Sequence, residues 1–301
     1  MIAAIVNPSA GSGAARRRWP YAARLLEARL GAFETRFTER PDHAATLARE
    51  LAEQGCDLII VAGGDGTLNE VVNGLLPGTA CPRLGLLPLA SGGDFARTLQ
   101  LSDLAQAVDT LATGEARPID AFRARFTRPD GRPAERYFLN AASIGLGAVA
   151  AMGVRGWARV IPGSGRYLAA AVPALASGRA YTITLRRDDG PPETFRVTTA
   201  AVANGRYQGG GICIAPDARL DDGLAGITIV ERVSLLEVAA HISILYNGAL
   251  YTYPKVRHWR ASRVRVESES VVPIELDGEP VGTLPLTVDV LPHSLRFLQR
   301  K

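Results

Sequence analysis

The sequence predicts an α/β N-terminal doubly wound domain followed by a β-rich, mainly antiparallel second domain. Three observations predict it. The first third alternates short apolar runs with stretches of helical spacing, as in a parallel sheet covered on both faces. Beyond roughly residue 125 the texture changes to short β-rich runs broken by Gly, Pro and Asp-Gly turns. The chain has 301 residues, more than one hydrophobic core usually holds. The expected domains are residues 1–125 with a returning C-terminal segment 291–301, and residues 126–290.

In order, Ile2–Val6 is a short apolar strand ended by Asn7-Pro8 and a Gly/Ser loop, and Trp19–Leu30 carries apolar residues at helical spacing. Phe33–Thr38 reads as a second strand and Ala44–Gln54 as a helix. Leu58–Ala62 is a continuous apolar strand, followed by Gly63-Gly64-Asp65-Gly66-Thr67 and the helix Leu68–Leu75. Leu84–Pro88 is a fourth strand. In the second half Tyr181–Leu185, Arg196–Ala203, Ile227–Val230, Arg263–Val266, Val272–Leu276 and Leu286–Leu291 read as strands, with one helix at Leu235–Leu245.

Composition bounds the function. Hydrophobic residues make up 47% and charged residues 21%, an ordinary globular balance. A net charge of +4, from 34 basic and 30 acidic residues, is too weak to argue for nucleic acid. Cys56, Cys81 and Cys213 are scattered and odd in number, so neither a disulfide framework nor a zinc site is indicated. The start of the chain has no signal-peptide pattern, and the apolar stretches Ile144–Val154 and Tyr167–Ser177 are too short to span a bilayer. The expectation is a cytoplasmic protein that at most lies on a membrane.

Chemistry concentrates in three loops at corresponding strand ends. Gly63, Gly64 and Gly66 let backbone approach a phosphate closely, and the helix that follows aims its free N–H groups at the anion. Thr67 can add a hydroxyl donor; Asp65 can hold a metal or orient a substrate. A tight strand–helix turn with a capping Thr explains the segment equally well when it is taken alone. Asn7–Gly13 follows the first strand, and Ala90-Ser91-Gly92-Gly93-Asp94 follows the fourth. Ligands of doubly wound sheets bind at the carboxyl ends of strands, so the three loops should share one crevice. No GxxxxGK[ST] occurs. Gly145-Leu-Gly147-Ala-Val-Ala150 imitates a dinucleotide fingerprint but lacks the acidic residue about 20 positions on.

Asn7–Gly13, Gly63–Glu70 and Leu87–Arg97 resemble the catalytic domain shared by diacylglycerol kinases, sphingosine and ceramide kinases and bacterial soluble lipid kinases. Thr38-Glu39-Arg40 with His43-Ala44, Asn204-Gly205 with Gly209–Gly211, Pro216–Leu224, Leu276–Pro280 and Val290–Arg296 extend the resemblance over nearly the whole chain. It implies ATP as phosphoryl donor, bound by Asn7, Thr38, Gly63, Gly64, Asp65, Gly66, Thr67, Asn69, Glu70 and Ser91. It implies Glu279 as catalytic base, with Asp65 and Asp94 near the metal and the acceptor. It also implies a structural Mg²⁺ on Asp222 and the main-chain carbonyls of Arg219 and Leu224, oxygen donors that suit a hard cation. On the residues alone Glu279 reads as an exposed hairpin residue, since Asp-Gly is a common turn. Two positions depart from relatives: Gly93 lacks the family's usual amide side chain, and Ser12 sits where some relatives carry a Lys, for which Arg16, Arg17 or Arg18 could stand in unless they form a solvated helix face.

The implied partner is a lipid substrate. Seven Arg and no acid between Arg136 and Arg187, with Trp157 and apolar runs, suggest peripheral contact with an anionic membrane surface. Lys255, Arg257, Trp259, Arg260, Arg263 and Arg265 form a second basic stretch. A solvated scaffold face explains both stretches equally well. The competing functions are a soluble-substrate kinase of NAD-kinase type and a non-catalytic nucleotide- or lipid-binding regulator. The lipid's identity and the oligomeric state, a homodimer included, are left open.

Overall fold

The structure, a computed structural model, describes residues 1–78, 80–90, 93–156 and 165–300. The chain divides into two compact units, Met1–Ala121 with His293–Lys301, and Phe122–Pro292.

In the first unit β1 (Ile2–Val6), α1 (Ala10–Leu30), β2 (Glu34–Phe37), α2 (His43–Glu53), β3 (Leu58–Gly63), α3 (Asp65–Leu75) and β4 (Arg83–Pro88) alternate. The strands run parallel in the order β2-β1-β3-β4. β3 is buried throughout, which its unbroken apolar run requires once helices cover both faces. Trp19, Ala22 and Leu26 of α1 pack on one face over Ala4, Val6 and Ile60. On α3, Gly74 lets α2 approach: a Cβ there would lie 2.2 Å from the Ala45 carbonyl oxygen.

α1 holds a surprise at its start. Gly11, Ser12 and Gly13 all have positive φ, so regular helix begins at Ala14, earlier than the apolar spacing from Trp19 indicates. Arg16–Arg18 present no apolar stripe and hid that turn. Two further helices, α4 (Asp94–Thr98) and α5 (Leu104–Thr113), follow β4 and were missing from the sequence reading. Asp103 caps α5, accepting the Gln106 N–H at 2.8 Å.

β5 (Glu115–Thr127), β6 (Pro133–Phe138), β7 (Ala141–Gly145), α6 (Leu146–Arg155), α7 (Gly165–Ala176), β8 (Tyr181–Arg187), β9 (Glu193–Ala203), β10 (Tyr207–Gln208), β11 (Ile212–Cys213), β12 (Ala225–Glu231), α8 (Leu235–Ala240), β13 (Val256–Ala261), β14 (Arg263–Glu267), β15 (Pro273–Leu276) and β16 (Glu279–Gln299) complete the chain. In the second unit the pairing closes on itself: β7, β9, β8, β14, β16, β15 and back to β7, every contact antiparallel. β9 serves two neighbours along one edge by its length, Glu193–Val197 facing β8 and Thr199–Ala203 facing β7. Phe138, Ile144, Ile183, Leu185, Ile274, Leu276, Leu286 and Val288 are buried in its core. β12 and β13 extend the sheet from β9.

α6 and α7 fall where the sequence showed only Gly- and Ala-rich apolar runs, and they pack together with Val233, Leu235 and Val238. The helix expected at Leu235–Leu245 is α-helical to Ala240 and continues as a 3₁₀ turn at Ile242–Leu245. Among the described residues no helix is long and apolar enough to cross a membrane. The last residues of β16 belong to the first unit, where Arg296 and Phe297 lie parallel to Arg83 and Leu84 of β4. Phe297 is buried there, edge-on to Phe95 at 5.6 Å.

Candidate active site

Because β1, β3 and β4 are parallel and adjacent, the turns that leave their carboxyl ends meet. Asn7 joins two of them. Its N–H donates to the Ala62 carbonyl at 3.0 Å, its Nδ2 donates to Thr67 Oγ1 at 2.9 Å, and its Oδ1 accepts from Ser9 N–H at 3.0 Å. Contact among the three turns leaves little room for side chains. A Cβ on Gly11 would lie 3.0 Å from Ala90 Cα, and one on Gly64 would lie 3.2 Å from Ala90 Cβ. Gly64 is the N-cap of α3 and offers no side chain, so the first-turn amides, Gly66 among them, carry no capping side chain from that position. Thr67 is buried and accepts from Asn7; it is not the cap of the helix.

The carboxylates of this unit work as braces. Asp65 accepts the N–H groups of Asp94 at 2.8 Å and Phe95 at 3.3 Å, capping α4 from across the loop. Asp94 is buried and pairs with Arg97 at 3.2 Å. Glu70 accepts Ala44 N–H at 3.1 Å, doing for α2 what its own N-cap, Asp42, does not. Asn69 is buried and receives Asn73 Nδ2 on its carbonyl at 2.8 Å. Thr38 N–H donates to the Val6 carbonyl at 2.9 Å, beside the first turn. The structure thus gathers Asn7, Thr38, Gly63, Gly64, Asp65, Gly66, Thr67 and Asp94, and sets Asn69 and Glu70 further along α3. Ser91 lies outside the described residues, as does Trp157. Of the three arginines that follow Ser12, Arg18 reaches the third loop, donating to the Leu89 carbonyl at 3.2 Å. Beside it lies a cleft of 430 Å³ lined by Arg18, Ala90, Gly93, Arg97, Gln100 and Ser102 among others.

The second unit builds its candidate group differently. Asp277 and Gly278 form the two-residue turn between β15 and β16, with φ of 49° and 81°. The Asp277 carboxylate accepts three backbone N–H groups, from Leu139 at 3.0 Å, Asn140 at 2.9 Å and Ala141 at 3.0 Å. Its own N–H donates to the Ala141 carbonyl at 2.9 Å. Asn204 completes the clamp: its Nδ2 donates to the Leu139 carbonyl at 3.0 Å and its N–H to the Asn140 carbonyl at 2.8 Å. Glu279 stands on this fixed turn with its side chain 24% exposed, and Oε2 lies 2.7 Å from Arg136 Nη2. Tyr167 of α7 closes over the turn, its hydroxyl 3.3 Å from where a Cβ on Gly278 would be. The sequence singled out Glu279 as a candidate but not the contacts that Asp277, Arg136 and Tyr167 make around it. The Asp-Gly pair was the available signal for Asp277; the other two carry none.

Asp222 lies in the loop before β12. Its Oδ1 accepts Leu224 N–H at 3.1 Å, while Oδ2 is buried beside the Arg260 guanidinium without a hydrogen bond of normal geometry. A carboxylate and main-chain carbonyls are donors that suit a hard cation, and here the carboxylate pairs with Arg260. The Arg219 side chain pairs with Asp221 at 3.7 Å. Among the described residues no three His, Cys, Asp or Glu side chains group as metal ligands, so a cation here would depend on main-chain carbonyls.

The second basic stretch is charge-compensated. Lys255 pairs with Glu237, Arg257 with Glu231, Arg260 with Asp222, Arg263 with Asp289 and Arg265 with Glu267. Trp259 lies under the Arg187 guanidinium, 4.4 Å from its ring centre. Each cation of this stretch thus has an acidic partner within the second unit.

Comparison with known proteins follows the division of the chain. The Diacylglycerol kinase catalytic domain matches residues 1–124, and the YegS C-terminal NAD kinase beta sandwich-like domain matches residues 140–299. The diacylglycerol kinase of Staphylococcus saprophyticus is 31% identical over 286 residues, covering 93% of this chain and 89% of the relative. That of Bacillus subtilis is 31% identical over 287 residues, covering 93% and 90%. A crystal structure of a diacylglycerol kinase from Bacillus anthracis shares the fold, with a TM-score of 0.75, 24% identity and coverage of 99% and 96%. An Archaeoglobus fulgidus NAD kinase in complex with ATP shares it more distantly, with a TM-score of 0.52, 16% identity and coverage of 100% and 94%. With both halves matched in order and two relatives above 30% identity over nearly the full length, the chain belongs to the diacylglycerol kinase family of lipid kinases.

Proposed function

We propose that this chain transfers the γ-phosphoryl group of ATP to a hydroxyl of a lipid, diacylglycerol or a related molecule. The observation that carries the reading is the meeting of the Gly11, Gly64 and Ala90 turns over parallel strand ends, a surface of bare backbone that suits phosphate. The uncapped amides of α3 face the triphosphate, Asn7 and Thr67 fix the loops that surround it, and Thr38 and Ser91 take the remaining nucleotide contacts. Asp65 and Asp94 act beside the phosphates, Asp65 by setting the third loop as well. Mg²⁺ accompanying the nucleotide neutralises charge on the transferred group.

The acceptor hydroxyl oxygen forms a bond to the γ-phosphorus as the bond to the β–γ bridging oxygen breaks, and ADP leaves. Glu279 takes the hydroxyl proton and passes it to water. Asp222 with the carbonyls of Arg219 and Leu224 would hold a second Mg²⁺, which would stabilise the second unit. The protein works in the cytoplasm at the membrane surface, with the acid-free stretch between Arg136 and Arg187, those two paired arginines apart, toward anionic lipid.

Labelled ATP and a panel of diacylglycerol, sphingoid base, ceramide and phosphatidylglycerol in mixed micelles test the reading. Label should enter one lipid class, and EDTA should abolish transfer. Transfer only to a soluble acceptor such as NAD would make it an NAD-kinase-like enzyme; nucleotide binding with no transfer would make it a regulator.

A further inference from the structure

We propose that Arg136 is the positioning residue for Glu279, the side chain that sets the carboxylate's orientation for proton abstraction. The inference rests on the reading of Glu279 as general base. Nη2 and Oε2 are 2.7 Å apart, and the two side chains are 23% and 24% exposed, so the pair is partly shielded from water. The backbone beneath each partner is fixed. Glu279 opens β16 on the turn that Asp277 locks, and Arg136 sits in β6, paired with Ala124 of β5. The Glu279 side chain itself still has three rotatable bonds, which the turn leaves undetermined.

Neighbouring acids are occupied in other ways. Asp277 holds three amides, Glu275 accepts Gly278 N–H at 2.5 Å, and Glu135 lies 3.9 Å from Arg123. A guanidinium suits the task because it never gives up its proton at physiological pH, so it orients the base without competing for the substrate's proton. Its planar fork also fixes the carboxylate plane in a way an ammonium does not.

Steady-state kinetics of the full chain on the lipid substrate, with melting curves, test this. Arg136→Gln should lower kcat about 10- to 100-fold, the scale of a misplaced catalytic group. KM for ATP should stay within about twofold of wild type. Arg136→Lys should recover part of the loss, and Arg136→Gln combined with Glu279→Gln should be no slower than Glu279→Gln alone. Full additivity of the two losses would overturn the proposal. So would a raised KM for ATP at unchanged kcat, which would make Arg136 a phosphate contact. A lowered melting temperature in Arg136→Gln that Arg136→Lys leaves uncorrected would make it a structural brace. Wild-type turnover in Glu279→Gln would sink the general-base reading itself, whereas wild-type turnover in Arg136→Gln beside a crippled Glu279→Gln would sink this inference alone.

Discussion

The two units use acidic residues in opposite ways. In the first, Asp65 and Glu70 are spent on backbone amides, and the surface offered to a ligand is glycine backbone. In the second, Asp277 takes over the bracing with three amides, which leaves Glu279, two residues on, presented as a carboxylate. The difference teaches that an acid's role is decided by what its oxygens already hold. On the proposed function, a phosphate site calls for donors and space, so its carboxylates are turned to the protein's own amides, whereas a proton acceptor needs a carboxylate that some other residue makes rigid.

Substitutions can break or sharpen that contrast. The largest effect belongs to Glu279→Gln, which keeps shape and removes the acceptor: kcat should fall about 10²–10⁴-fold, the usual contribution of a general base. ATP affinity and melting temperature should hardly move. Turnover within about threefold of wild type would erase the contrast. Asp277→Ala should be next, because it strands three amides at a cost of about 1–3 kcal/mol each if they stay dry. Stability and kcat should fall together, and a drop in kcat alone would mean that Asp277 has a chemical role. Asp65→Asn should lower the melting temperature modestly and weaken ATP binding about tenfold, since one amide acceptor remains. An effect on kcat without one on ATP binding would argue against its bracing role.

The smallest effect concerns a carboxylate of the second unit with structural work only. Burial opposes ionisation of Asp289, but Arg263, Arg125 and Arg123 outweigh it and hold its carboxyl below the ordinary value. A depressed folded-state pKa gives stability that is complete above the unfolded value and lost as pH falls through the folded one. Asp289→Asn should therefore cost about 1–2 kcal/mol near neutral pH. The gap from wild type should close as pH drops below about 4. Melting curves across pH check this; a gap that widens in acid would reverse the sign of the argument.

Much of the first unit was legible because β1, β3 and β4 are each one mainly apolar run and the turns that follow them are marked by Gly, Asn or Asp. α4 escaped since it is a single turn; α5 was legible in its cap Asp103 and in Leu104, Ala107, Val108 and Leu111 at helical spacing. In the second unit α6 and α7 escaped because Ala and Gly give no amphipathic stripe, and β13 because its arginines read as a charge run. Glu279 was legible through its turn and a resemblance, yet its partner was not. Arg136 stands 143 residues earlier in the chain, and nothing local distinguishes it from the other arginines of its stretch. Long-range ion pairs leave no mark on periodicity.

The placement of Arg296 and Phe297 against β4 fixes an order of assembly. Residues 122–292 form one uninterrupted stretch and can collapse as soon as they have been synthesised. The first 121 residues, made earlier, keep β4 as a bare edge and Phe95 without its aromatic neighbour until Arg296 and Phe297 arrive. The unit that is translated first is therefore the last that can be finished, because the strand that covers the edge of β4 is among the last residues made.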